Sequence, residues 1–290
     1  TLDRNYRSTK PILDAANAVI GEAAERFTKD LWTERASEEK PRLVTIWDDT
    51  VQANYIADRV LEEREAGTPM KQQAVLFRAS HHSGTLEVEL TRRNIPFVKF
   101  GGLKFLDSAH VKDVLALLRF AQNPRDRIAG FRVLQLLPGV GPTSARRVLD
   151  TMGESAHPFE ALKDVKTPQR SGEAWAGFVN LLNALGNHQV GWPGEIAAAR
   201  YWYEPHLEQL HEDASTRLAD LVQLEQIPGD YPSREKFLPE LTLAPPAAPS
   251  DQPGVPLLDA DSLIPAPIPS AKPQHWKTVF VMNVPHCFIP

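Results

Sequence analysis

The stretch Ala74–Phe120, AVLFRASHHSGTLEVELTRRNIPFVKFGGLKFLDSAHVKDVLALLRF, decides how this chain folds. Ala74–Phe77 is a short apolar run closed by Arg78, the pattern of a buried strand delivering a charge at its C-terminal end. Leu86 and Leu90 then lie four residues apart between Ser83 and Arg93, which predicts an amphipathic helix. Asn94 ends that helix, and Ile95–Phe100 predicts a second strand. Gly101-Gly102 makes a turn, after which Val111, Val114, Leu115 and Leu118 mark a further helix, begun by a capping Asp107 or Ser108. Strand, helix and strand in this order form a βαβ unit, whose crossover requires a parallel sheet covered by helices. Ligands of such sheets sit at the carboxyl ends of the strands, where Arg78 falls.

Working outward, Asn5-Tyr6-Arg7-Ser8 precedes a helix through Ile12, Ala15, Ala16, Val19 and Ile20, with Ser8 or Thr9 as cap and Pro11 in its first turn. By itself the tetrapeptide reads as a helix cap that exposes a tyrosine and an arginine. Leu43–Trp47 (LVTIW) predicts a strand and Thr50–Glu65 an amphipathic helix, ended by Gly67. In the loop Arg78–Ser83, His81-His82 has no carboxylate or cysteine at ligand spacing, so no metal site is expected. Leu137–Arg147 holds Gly139-Val140-Gly141-Pro142-Thr143 between two helices. It is either a helix-hairpin-helix turn offering backbone N–H groups to phosphate, or a tight interhelical loop with Gly139 as C-cap and Pro142 at the first helical position. Residues 171–224 carry apolar residues at helical spacing (Trp175, Phe178, Leu182, Leu185, then Leu207, Leu210, Leu221, Leu224), the core stripes of an all-helical domain. Residues 243–263 are rich in Pro, Ala and Asp and read as a linker, and Trp276–Val284 as a returning strand.

Size and composition fit these elements. The 290 residues, 42% hydrophobic and 24% charged, suffice for about two domains at roughly 150 residues each. A single cysteine, Cys287, excludes internal disulfides and cysteine-cluster metal sites. No apolar run reaches the roughly 18 residues of a membrane span and no signal peptide is legible, so a cytoplasmic location and no membrane partner are expected. The abrupt ends, TLDRNYRST and CFIP, read as cuts through a larger protein. A net charge of −5, from 32 basic and 37 acidic residues, argues against tight autonomous DNA binding and leaves room for a local basic groove.

The composite Phe77-Arg78, Leu86-Glu87, Ile95-Pro96-Phe97 and Gly101-Gly102-Leu103-Lys104-Phe105 resembles the UvrD/Rep/PcrA family of superfamily 1 DNA helicases. The similarity runs over nearly the whole chain. It implies an α/β fold: a partial RecA-like parallel sheet with helices on both faces, plus an inserted all-helical domain. Residues 1–106 would be the first part of the second motor domain, 107–243 the inserted domain, 244–262 a linker and 263–290 the motor's return strand. In the family, Tyr6 would stack on the adenine of ATP and Arg7 would contact the γ-phosphate, where a planar, permanently charged guanidinium suits phosphoryl transfer. Arg78, Ser80, His82 and Ser83 would touch single-stranded DNA; Ser80 and His82 stand where the family pattern has amides. Gly139, Val140, Gly141 and Thr143 would meet duplex DNA, and Lys272 belongs to a further DNA-contacting motif.

That last motif departs from the pattern. Pro267, Pro269 and Pro273 remove backbone donors, Pro273 replaces a glycine, and His275 replaces a glutamate, so coupling between ATP and DNA is expected to be impaired there. No G-x-x-x-x-G-K-[ST] loop occurs in the sequence. The Mg2+ ligands and the phosphate cradle are therefore expected on a first RecA-like domain in cis, and the chain alone is expected not to hydrolyse ATP. The resemblance thus implies the C-terminal segment of an ATP-dependent 3′–5′ helicase with single-stranded, forked or duplex DNA as partner. A non-catalytic DNA-binding or interaction module, a decayed helicase remnant, is the alternative.

Overall fold

The computed structural model describes residues 3–22, 30–100, 104–165, 169–242, 261–271 and 274–284. Gly101-Gly102, Lys272, Pro273, Cys287 and the linker through residue 260 lie outside the described residues. Helix α1 (Lys10–Gly21) starts at Thr9 with Pro11 in its first turn, and α2 (Asp49–Glu65) is capped by the Asp48 carboxylate, which accepts from the Val51 N–H. Strand β1 (Gln73–Phe77) leads into a 3-10 turn at Ser80–Ser83 and helix α3 (Gly84–Arg92). Two strands from the far end of the chain, β2 (Ile264–Pro267) and β3 (Thr278–Val281), flank β1 in parallel, giving the order β2-β1-β3. Val75 and Phe77 on one face pack with Ala53, Ile56 and Val60 of α2 and Leu86 and Leu90 of α3. On the other face Val279 and Val281, in register with Ala74 and Leu76, remain 44% and 50% exposed, so that face is the less covered one.

Two expected strands come out differently. Ile95–Phe100 does run parallel to the sheet, outside β2: Val98 N–H donates to Leu263 O and Phe100 N–H to Pro265 O, both at 2.9 Å. It stays a single bridge, Phe97 to Leu263, and not a regular strand. The reason is chemical. In a parallel strand a residue's N–H and C=O point to the same neighbour, so the donors that Pro265 and Pro267 lack are those facing this ribbon, while Ile264 and Ala266 serve β1. Leu43–Trp47, the other expected strand, forms no regular element and has no strand partner among the described residues, with Leu43 89% and Trp47 90% exposed. β-branched residues favour a strand only where an open sheet edge receives their backbone.

The middle of the chain is helical: α4 (Ala109–Gln122), α5 (Arg127–Leu134), α6 (Pro142–Glu154), α7 (Pro158–Ala161), α8 (Gly172–Gly186), α9 (Gly194–Leu210), α10 (Ala214–Gln226) and α11 (Arg234–Thr242). They enclose a second core of Leu117, Phe120, Leu134, Phe178, Leu182, Tyr203, Leu224 and Phe237. Two of its buried polar groups, His110 and Tyr203, are paired with carboxylates. Arg217 donates to His110 Nδ1 at 3.2 Å, so the ring proton is on Nε2, which meets Asp220 at 2.9 Å. The Tyr203 hydroxyl donates to Asp113 at 2.7 Å, and burial raises its pKa so that it stays a donor. No helix of the described residues is long and apolar enough to cross a membrane.

Packing in this core is tight enough to reverse a propensity rule. A Cβ on Gly130 would lie 2.5 Å from Phe120 Cε2 and 2.7 Å from Leu149 Cδ2. Helix propensity alone favours Gly130→Ala by about 1 kcal/mol. Overpacking instead predicts a net loss of about 1–3 kcal/mol in urea unfolding; a more stable variant contradicts the packing.

Candidate nucleotide and nucleic-acid interface

Three surface features carry the residues singled out in the sequence. The first is Asn5–Ser8. Asn5 Oδ1 accepts from the backbone N–H groups of Arg7 and Ser8, both at 2.8 Å, an Asx turn that fixes the local chain. A short parallel bridge to residue 32 holds the same segment, with Asn5 N–H to Trp32 O at 2.7 Å and Trp32 N–H to Asp3 O at 3.1 Å. Arg35 Nη1 donates to Arg7 O at 2.6 Å. So anchored, the backbone presents Tyr6 at 74% exposure, its ring 4.9 Å from the Arg4 guanidinium, which also lies 5.4 Å from the Trp32 ring. Arg7 is exposed, and its Nε–H donates to His275 Nδ1 at 3.2 Å. A ring and a guanidinium held side by side at the surface can stack on a base and meet a phosphate.

The second feature is the loop after β1. Arg78 is exposed at the carboxyl end of that strand, and Ser80 and His82 are half-buried. His82 Nδ1 accepts from the Ala79 N–H at 3.4 Å, which leaves Nε2–H as its donor. Burial, helped by the charge of neighbouring His81, holds the His82 imidazole below its ordinary pKa, so it offers a neutral N–H. Ser83 differs from the expectation of a direct DNA contact: it is fully buried, and its hydroxyl lies 2.7 Å from Ser80 O and 2.6 Å from Glu87 Oε1. It shapes the loop from beneath. Glu87 in turn pairs with Lys99 at 2.9 Å and accepts from the Phe105 N–H at 2.6 Å, so one buried carboxylate ties the loop, the Ile95–Phe100 ribbon and the entry to α4 together. The loop is also tied to the helical core: Gln223 of α10 donates to Thr85 Oγ1 at 2.8 Å and to Asp49 at 3.3 Å, and Asn283 donates to Asp49 at 3.3 Å.

The third feature is the turn Leu137–Thr143. Val140 is buried and its N–H donates to Leu137 O at 3.1 Å, which anchors the turn. Gly139 has φ +76°, a left-handed conformation that suits glycine. Gly141 is the N-cap of α6 and faces open space, with Thr143, Arg146 and Arg147 exposed on the first turns. Both readings of this segment survive the geometry: it is a tight interhelical turn, and it also opens a helix N-terminus to an anion. Lys272 lies outside the described residues. Among those described, no group of three or more His, Cys, Asp or Glu is placed to hold a metal ion.

The sequence reading missed Glu87, Lys99, Gln223 and His275 as partners of these features. Lys99 inside the apolar run Ile95–Phe100 was the available signal, since a charge there needs a counter-charge.

The family described as UvrD-like helicase C-terminal domain matches residues 1–225. Aligned over its whole length, the chain is 28% identical to the ATP-dependent DNA helicase PcrA of Staphylococcus epidermidis and 27% identical to that of Staphylococcus aureus. It spans 41% of the length of each.

Proposed function

The chain belongs to the UvrD-like helicase C-terminal domain family, and from that premise we propose that it is a segment of an ATP-dependent 3′–5′ DNA helicase. In this reading it supplies the second wall of the ATP site and part of the DNA track. The observation that supports it is the Asn5–Ser8 turn, which holds Tyr6 74% exposed beside an exposed Arg7. Tyr6 stacks on the adenine and Arg7 faces the terminal phosphate, each on a backbone already ordered before the ligand arrives. Bound ATP supplies the phosphoryl transfer, with magnesium ligands coming from a first RecA-like domain in cis. The chain's own work is to orient the base, place a positive charge and stay put while doing so.

Arg78 and His82 contact the single strand, with Ser80 beside them. Gly139, Gly141 and Thr143 offer N–H and hydroxyl donors to a duplex phosphate, and Val140 anchors that turn. Adding a first motor domain with a phosphate-binding loop should produce DNA-stimulated ATP hydrolysis that neither part shows alone. Duplex binding by the chain with no ATPase in the mixture supports the module reading instead, and rejects this one.

Arg78 gives a separate expectation. Arg78→Ala should weaken single-stranded oligonucleotide binding about equally across sequences and lower the salt slope by about one. Fluorescence anisotropy at several salt concentrations measures both, and an unchanged slope removes Arg78 from the contact.

A further inference from the structure

Beside the turn Leu137–Thr143 lies an open cleft of about 590 Å³, walled by Leu136, Pro138 and Leu210 and lined also by His206 and Gly141. Its size falls within the roughly 300–1,000 Å³ of small-molecule clefts. Leu210, at the end of α9, is 53% exposed, an apolar side chain open to solvent. His206, one turn earlier, is only 8% exposed, and its ring packs on Trp202 with 4.5 Å between centroids. His206 Nδ1 lies 3.0 Å from Trp202 O; a carbonyl only accepts, so Nδ1 carries the proton and Nε2 is an acceptor. Burial holds this imidazole below its ordinary pKa, so it is neutral at pH 7. Nε2 has no partner among the described residues and is not sealed from solvent, so it opens on the cleft.

Gly141 brings an anion site to the same cleft. It is the N-cap of α6 and has no side chain to cap with, Pro142 has no N–H, and Ala145 N–H makes the first helical bond, to Gly141 O at 2.9 Å. The N–H groups of Thr143 and Ser144 therefore have no backbone acceptor among the described residues. With Arg146 and Arg147 exposed beyond them, they favour a phosphate. We propose that the cleft takes up one unpaired nucleotide of DNA, its base against Leu136, Pro138 and Leu210 with an exocyclic amino group on His206 Nε2, and its phosphate at the N-terminus of α6. The proposal rests on the reading of the Gly139–Gly141 turn as a duplex contact, and goes beyond it by adding a base pocket to a phosphate contact. The walls are apolar and suit the faces of a flat ring, and the buried acceptor demands an N–H donor at its edge. A base without a pairing partner costs least to take out of the stack, so a bulged duplex is the substrate that fits.

Fluorescence anisotropy of the 290-residue chain at low salt tests this with four duplexes. One is perfectly paired; the others carry a single bulged adenine, a bulged unsubstituted purine or a bulged abasic residue. Purine keeps the adenine ring without its amino group, and the abasic bulge keeps the bend without a base. The adenine bulge should bind about 10-fold tighter than the abasic bulge and the perfect duplex, with purine in between. His206→Phe keeps an aromatic ring against Trp202 and should erase the difference between adenine and purine. Leu210→Ser, at an exposed position that leaves the core intact, should weaken both base-bearing bulges. Gly141→Asp has open space for its side chain, and its carboxylate should cap α6 and weaken all four duplexes. Equal affinity for adenine and abasic bulges, or an adenine preference that survives both His206→Phe and Leu210→Ser, overturns the base pocket and leaves the phosphate contact standing. Perfect-duplex affinity that is unchanged in Gly141→Asp overturns the duplex reading beneath it.

Discussion

Replacing Glu87 with alanine should cost about 3–5 kcal/mol of folding stability, the largest single effect expected in the sheet domain. The carboxylate is enclosed, with side-chain exposures of 3% for Lys99 and 1% for Glu87, and Oε1 lies 2.9 Å from the Lys99 ammonium. Its remaining lone pairs are used by the Ser83 hydroxyl and the Phe105 N–H, both at 2.6 Å. Truncation would leave an ammonium buried without a counter-charge, next to the Phe77 ring 5.7 Å away. It would also release the hydroxyl that shapes the loop after β1. Urea unfolding measures the cost. Glu87→Leu combined with Lys99→Met should recover most of it, because the double change removes both charges and keeps the volume. A single substitution that costs less than about 1 kcal/mol would mean that the pair is wet in solution, since exposed pairs contribute only that much.

Arg7→Ala is the second large effect, on rate and not on stability. Arg7 is exposed and its side chain supports no core, so the fold should be unchanged. In an assembled two-part motor, loss of an arginine that stabilises charge on a transferring phosphoryl group lowers kcat by about 10³-fold or more. That corresponds to roughly 4 kcal/mol of transition-state stabilisation. Arg7→Lys should recover little, because a compact ammonium reproduces neither the planar fork nor the Nε–H that meets His275. Steady-state ATP hydrolysis in the presence of single-stranded DNA gives the answer. A drop below about 10-fold would place Arg7 outside the reacting site.

The stretch 74–120 made the sheet domain legible because its signals are local. An apolar tetrapeptide, an i, i+4 leucine pair and a serine at an N-cap position, Ser108, which makes no side-chain cap bond, each report on structure within a few residues. β1, α3 and α4 follow from them. What the sequence concealed depends on partners distant in the chain. Ile264–Pro267 carries no strand signal of its own, since two of its four residues are proline, yet its other two donors suffice to pair with β1. Leu43–Trp47 has the composition of a strand and pairs with no edge among the described residues. The same division holds at the surface. The exposure of Tyr6 and Arg7 was legible through their tetrapeptide, and the chain reversal at Gly139–Gly141 through its glycines. The contact between Arg7 and His275 had no sequence signal, since nothing local relates two positions so far apart. Ser83 was misjudged because a hydroxyl in a loop looks available until the neighbouring helix delivers Glu87 to it.

The central claim, that the Tyr6–Arg7 edge faces the adenine nucleotide, is tested most directly by photolabelling with an azido-adenine analogue of ATP. The chain is irradiated with magnesium and a first motor domain present, and the labelled peptide is identified by mass spectrometry. The account predicts label on the peptide containing Tyr6, competed by ATP and lost in Tyr6→Ala. Label found only elsewhere, or label at Tyr6 that ATP does not displace, would contradict it.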